Sequence, residues 1–155
     1  MSNWGKRFFV SFSLKMTNFG FDGHRNIVHI TKGGNDQAYG DAIPALYVDG
    51  ETRNLRVVSA INDIRNFYFD YTLELGKEYD IVVSQDQVKD STLFHIFING
   101  ELIYEVENMK PENFGTVKVY HSDPWVDSID GVGTVLNLRI LDYIPCKFFS
   151  KDNLP

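Results

Sequence analysis

An all-β fold, two antiparallel sheets packed face to face as a jelly-roll β-sandwich, is what the sequence predicts. Apolar and polar residues alternate in about ten short runs, and Gly, Asn, Asp or Pro fills nearly every gap between them. No segment carries a helical apolar repeat of useful length. A closed barrel is the other arrangement that such strands allow.

Each element follows from its own residues. In "RFFVSFSLKM", Phe8, Val10, Phe12, Leu14 and Met16 face one way, and Ser11, Ser13 and Lys15 face the other. "NIVHIT" follows a Gly-rich loop, and "IPALYV" and "NLRVVSA" flank Asp49-Gly50, a hairpin signal. "NFYFDYTLEL" and "EYDIVVSQ" come next. In "TLFHIFINGELIYEVEN" the pair Asn99-Gly100 separates two β-prone runs. A type I′ turn needs positive φ at both central positions, which Asn tolerates and Gly adopts without steric cost. "GTVKVYHS" and "GTVLNLRILDY" complete the set. Residues 1–142 are expected to form a single sandwich domain and residues 143–155 a C-terminal tail, with Phe148 and Phe149 pinning that tail and its last residues frayed.

Composition narrows the function classes. At 155 residues, 43% hydrophobic and 14% aromatic, the chain is one domain with a core of its own. No apolar run approaches the length of a membrane span, so no membrane insertion is expected. "MSNWGKRFFV" lacks the pattern of a signal peptide. A net charge of −6 without a basic cluster argues against nucleic acid as a partner. Cys146 is the only cysteine, which excludes an intrachain disulfide. It is expected to pack as a small residue near the tail, with a partner-linked or reactive thiol as the alternative.

Four pieces in order over residues 7–142 carry a family resemblance. They are "FFVSFSLK", then "YGDAIPALYVDGETRNLRVV", then "LELGKEYDIVVSQ" leading to the Asn99-Gly100 hairpin, and "GTVKVYHSDPW" followed by "GTVLNLRI". Together they resemble the concanavalin A-like lectin/glucanase superfamily, and within it the laminin-G-like and galectin-like sandwiches. That resemblance implies a domain working outside the cell or at a surface. The lack of an N-x-[ST] sequon and of a disulfide pair weighs against secretion.

Because the superfamily includes glycoside hydrolases, paired carboxylates are the first test. Glu101, Glu105 and Glu107 share one strand face, but no Asp stands between them as the family's β-glucanase signature requires. There is no G-x-S-x-G, no H-E-x-x-H and no phosphate-cradling Gly loop. His24, His29, His95 and His121 lack zinc spacing, and the mid-strand His29 and His95 are expected to be structural. The galectin His-x-Asn-x-Arg pattern is absent as well, since His24, Arg25 and Asn26 are contiguous.

The resemblance to laminin-G-like domains implies calcium, with Asp41 and Asp123 as the matching ligand positions. Asp127 and Asp130 supply further carboxylates in the late loop. That loop, "SDPWVDSIDG", also holds Trp125, either a plug at one end of the core or an exposed plate for a sugar ring. Tyr39, Asp41, Trp125 and Asp127 are accordingly the expected ligand-binding residues. The expected function is a non-enzymatic carbohydrate-binding or adhesion module holding a glycan or glycoprotein on loops at one rim, with calcium support. The alternatives are a structural or assembly domain of a larger secreted, particle or surface protein, packing as a homo-oligomer, and a glycoside hydrolase-like domain.

Overall fold

In the computed structural model, which describes residues 4–146, strands form where the alternating runs place them. They are β1 (Phe8–Met16), β2 (His24–Thr31), β3 (Ala45–Asp49), β4 (Asn54–Ile61) and β5 (Ile64–Thr72). β6 (Glu78–Val88), β7 (Ser91–Ile98), β8 (Glu101–Glu107), β9 (Lys118–Tyr120) and β10 (Gly133–Leu141) follow. They build two five-stranded antiparallel sheets, ordered β10-β1-β6-β7-β8 and β5-β4-β3-β2-β9. The fold is the jelly-roll sandwich and not the closed barrel. Among the described residues no helix is long and apolar enough to cross a membrane. The tail residues Phe148 and Phe149 lie outside the described residues. Cys146 is exposed and not packed, because the chain has already left β10 at that point.

The core is where the inward halves of the alternations meet. Phe8, Val10, Phe12, Leu14 and Met16 of β1 lie with Ile81 and Val83 of β6 and Phe94 and Ile96 of β7. Ile30, Leu46, Val48, Leu55 and Val57 come from the opposite sheet. Each such side chain contributes roughly 1.5–3 kcal/mol on leaving water. Trp4, ahead of the first strand, joins them: its ring stacks on Phe8 at 5.4 Å, and its indole N–H donates to the Ile43 carbonyl at 2.5 Å.

The turns separate backbone conformation from packing as reasons for glycine. Asn99 and Gly100 have φ of 52° and 78°, the signs of the expected type I′ turn. A Cβ at Gly100 would meet nothing within 4 Å, so only the backbone constrains the position. Gly100→Val is therefore expected to cost about 1–3 kcal/mol through strain alone. An unchanged melting temperature would contradict this turn geometry. At Asp49-Gly50 the left-handed residue is instead Arg53, at φ 60°. Gly50 is required by contact, since a Cβ there would sit 2.0 Å from the Phe21 carbonyl oxygen.

One irregularity matters for function. The pairing of β2 with β3 shifts register between Asn26 and Val28. Such a bulge turns the residues beyond it to the opposite face. Ile27 and Val28 both join the core, and His29, which pairs with Ala45, points away from it along with His24 and Asn26. The backbone of Asn26 also pairs with the 121–132 loop. Its N–H donates to Asp127 at 2.7 Å, and its carbonyl accepts from Ile129 at 2.9 Å.

Candidate functional site

The outer face of the β5-β4-β3-β2-β9 sheet carries the residues that alternation leaves out of the core. Tyr47 on β3 stands opposite Arg56 on β4, which stands opposite Asp70 on β5. Val58 stands opposite Tyr68 one step along. The 33–44 loop and Val126 of the late loop rise beside these strands and close a cleft of about 240 Å³.

The cleft has an apolar plate and a polar edge. Arg56 donates from Nε and Nη2 to the two Asp70 oxygens at 2.8 and 2.7 Å, a fork that holds the guanidinium plane in place. That plane lies 4.4 Å from the Tyr68 ring centroid and braces it, while 57% of Tyr68 remains exposed. Tyr47 stands edge-on to His24 at 6.2 Å and to His29 at 6.1 Å. Burial pushes its hydroxyl well above the ordinary tyrosine range, and the charges of Asp123 and Asp36 push it the same way. It therefore stays a neutral donor. Asn66 donates from Nδ2 to the Asp36 carbonyl at 3.3 Å, and its Oδ1 is shielded with no hydrogen-bond partner among the described residues.

Next to the cleft, His29 ties together three of the residues expected from sequence. Its Nδ1 lies 2.9 Å from Asp123 Oδ2, and its Nε2 lies 2.5 Å from the Asp41 carbonyl. The imidazole and the Asp123 carboxylate are both fully buried. A carbonyl can only accept, so Nε2 carries a proton, while Nδ1 faces the Asp123 carboxylate and, at 3.3 Å, the Tyr47 hydroxyl. The other Asp123 oxygen accepts from the Trp125 and Val126 amides at 3.0 and 2.7 Å, shaping the late loop. Trp125 rests on His29 at 5.4 Å and against Tyr120 at 5.7 Å. With 40% of its surface exposed and no place in the core, it forms a second aromatic surface next to Val126.

The remaining expected residues stand elsewhere. Tyr39 packs on Phe114 at 6.0 Å, outside the cleft. Asp127 pairs with Arg25 at 3.1 Å, and its side chain is 79% exposed. Asp41 is buried and turns its carboxylate inward along its own loop, accepting from the Gln37 and Ala38 amides at 3.0 and 2.8 Å. Calcium needs six to eight oxygens that converge. Here the Asp41 and Asp123 carboxylates are spent on loop amides and on His29, and among the described residues no three His, Cys, Asp or Glu side chains converge as a metal site. The residues do not fit the ion.

Sequence reading placed recognition on rim loops and did not single out the cleft residues Tyr47, Arg56, Asn66 and Tyr68. A weak signal for them existed. All four occupy outward positions of strands whose inward positions are apolar, and aromatic or charged residues there stand out from the usual Ser, Thr and Lys.

No family model matches the chain, and no curated protein matches it. Solved structures do. A Ruminococcus gnavus IT-sialidase CBM40 bound to alpha2,3 sialyllactose superposes with a TM-score of 0.64 at 15% identity, over 97% of this chain and 81% of that one. The heptameric SAP-like pentraxin of Limulus polyphemus gives a TM-score of 0.57 at 18% identity, over 96% and 70%. The botulinum neurotoxin serotype C1 binding domain gives 0.59 at 14%, over 92% of this chain and 35% of that one. The likeness is one of fold, a two-sheet jelly-roll β-sandwich.

Proposed function

We propose that this domain is a non-catalytic carbohydrate-binding module, working outside the cell or at a surface, whose sugar rests in the cleft on the outer face of the β5-β4-β3-β2-β9 sheet. The observation that carries this is the Tyr68 ring, braced by Arg56 and open to solvent, beside the hydrogen-bonding groups of Tyr47, Asp36 and Asn66. A pyranose presents a face of C–H groups and a rim of hydroxyls. It needs an aromatic plate and a few fixed donors and acceptors, which is this combination. The glycan-bound state of the structurally similar Ruminococcus gnavus module supports the same reading. The three glutamates weighed as hydrolase carboxylates, Glu101, Glu105 and Glu107, stand away from this cleft on β8 of the other sheet, with Glu105 bonded to His95 at 2.8 Å.

A glycan array tests the proposal. Tyr68→Ala is expected to weaken binding by about tenfold or more, as loss of a central aromatic anchor does, and to leave the melting temperature nearly unchanged because the ring is exposed. Binding and melting temperature are both expected to be the same in Ca²⁺ and in chelator. Full affinity in Tyr68→Ala would remove the cleft as the site, and a calcium-dependent gain would restore Asp41 and Asp123 as metal ligands.

A further inference from the structure

Resting on that reading, we infer that the cleft selects by charge: it accepts neutral or amine-bearing sugars and rejects sugars that carry a carboxylate. A cleft that captures an acidic sugar offers an unengaged guanidinium or ammonium, most effectively as a two-pronged fork. Among the described residues, no Arg or Lys lining this cleft is unengaged. Arg56, the only Arg or Lys lining it, spends its fork on Asp70 at 2.8 and 2.7 Å. The Nε2 of His24 is buried 3.4 Å from Asp49 Oδ2, without a hydrogen bond among the described residues, and so is not presented to the cleft. The flanking arginines do not line it: Arg25 is paired with Asp127 at 3.1 Å, and Arg65 donates one N–H to the Gln37 carbonyl at 2.7 Å.

Asp36 is not matched by a cation in the same way. It is exposed at the rim, and among the described residues its carboxylate accepts from the Gln37 side-chain Nε2. Asp70 lies behind Arg56, and the chain as a whole carries −6. A sugar carboxylate entering here would face Asp36 at close range, with no unpaired Arg or Lys in the described lining to offset it, and like charges brought together across an interface are strongly unfavourable. An ammonium on the sugar would find Asp36 as a partner. The inference separates this cleft from what the Ruminococcus gnavus module is seen to bind, alpha2,3 and alpha2,6 sialyllactose, although the two share a fold.

The test uses matched oligosaccharides on one surface: lactose with its two sialylated forms, and a glucosamine trimer in its acetylated and free-amine forms. Within the lactose set the acidic members are expected to bind at least about tenfold more weakly than the parent, with the gap shrinking as salt is raised. In the glucosamine pair the free amine is expected to bind at least as well as the acetylated form. Asp36→Asn, a change on an exposed loop, and Asp70→Asn, which loosens the hold on Arg56, are each expected to narrow the lactose gap by about threefold or more. Sialyllactose bound as tightly as lactose, and lost with Tyr68→Ala, would overturn the charge selection while leaving the carbohydrate site standing. A gap that persists unchanged in both Asn variants would overturn its assignment to these carboxylates. Binding to no member of the panel would remove the carbohydrate reading and the selection with it.

Discussion

Asp123→Ala is expected to destabilise the domain by about 3–5 kcal/mol, the order of cost for removing one partner from a fully buried, hydrogen-bonded His–carboxylate pair. Two losses add. His29 keeps its bond to the Asp41 carbonyl but loses the carboxylate at Nδ1, leaving the more distant Tyr47 hydroxyl at 3.3 Å, and the Trp125 and Val126 amides lose their acceptor. Asp123→Asn separates these contributions. An amide oxygen can still accept from the two backbone N–H groups, and its NH₂ can donate to an unprotonated Nδ1 while Nε2–H stays on Asp41. The Asn variant is thus expected to cost far less than the Ala variant. Urea unfolding would show this as a lowered midpoint with an unchanged slope, and Trp125 fluorescence would report the loop. If Ala and Asn behave alike, the pair is not what holds the late loop against the sheet.

Trp4→Ala is the second large effect, at about 3–5 kcal/mol for truncating a fully buried indole. The ring is 0% exposed, stacks on Phe8, and its N–H is bonded to the Ile43 carbonyl. Its backbone also pairs with the 114–115 segment: Trp4 N–H donates to Gly115 at 3.0 Å, and its carbonyl accepts from Phe114 at 2.7 Å. Trp4→Phe retains the stacking and loses the hydrogen bond, so it is expected to cost about 1–3 kcal/mol, the penalty of one orphaned buried acceptor. Both are read by equilibrium unfolding. A cost below 1 kcal/mol for the Ala variant, against the range for core truncation, would mean that the residues ahead of β1 do not belong to the cooperative unit.

These two residues differ in how far they can be read from sequence. Trp4 stands in a stretch with no alternation of its own, so nothing local marks it as core. Asp123 is recognisable as a turn former in "SDPW", but its partner His29 is 94 residues away. The hairpin at Asn99-Gly100 is the opposite case. Its strands alternate, its turn residues state their own φ, and every force that sets it acts within a few residues. The same holds for the inward and outward assignment of β1, because its period of two is a property of the extended chain.

The cleft is divided between the two kinds of information. That Arg56, Tyr68 and Asp70 point away from the core can be read along β4 and β5 separately. Their meeting depends on register, which hydrogen bonding between strands sets, and a slip of one residue would turn each of them to the other face. His29 shows the limit most clearly. Strict alternation from His24 and Asn26 sends Val28 outward and His29 inward. The bulge between Asn26 and Val28, supported by backbone bonds from Asn26 to the late loop, reverses both. By itself, then, the sequence determined the strands, the tight turns and the sandwich, because short-range sterics and a two-residue period suffice for those. Only the tertiary structure decided that Asp41, Asp123 and Trp125 gather on a histidine and that tyrosines from separate strands share a cleft, because those contacts depend on strand register and on an inserted residue, which are settled by partners distant in the chain.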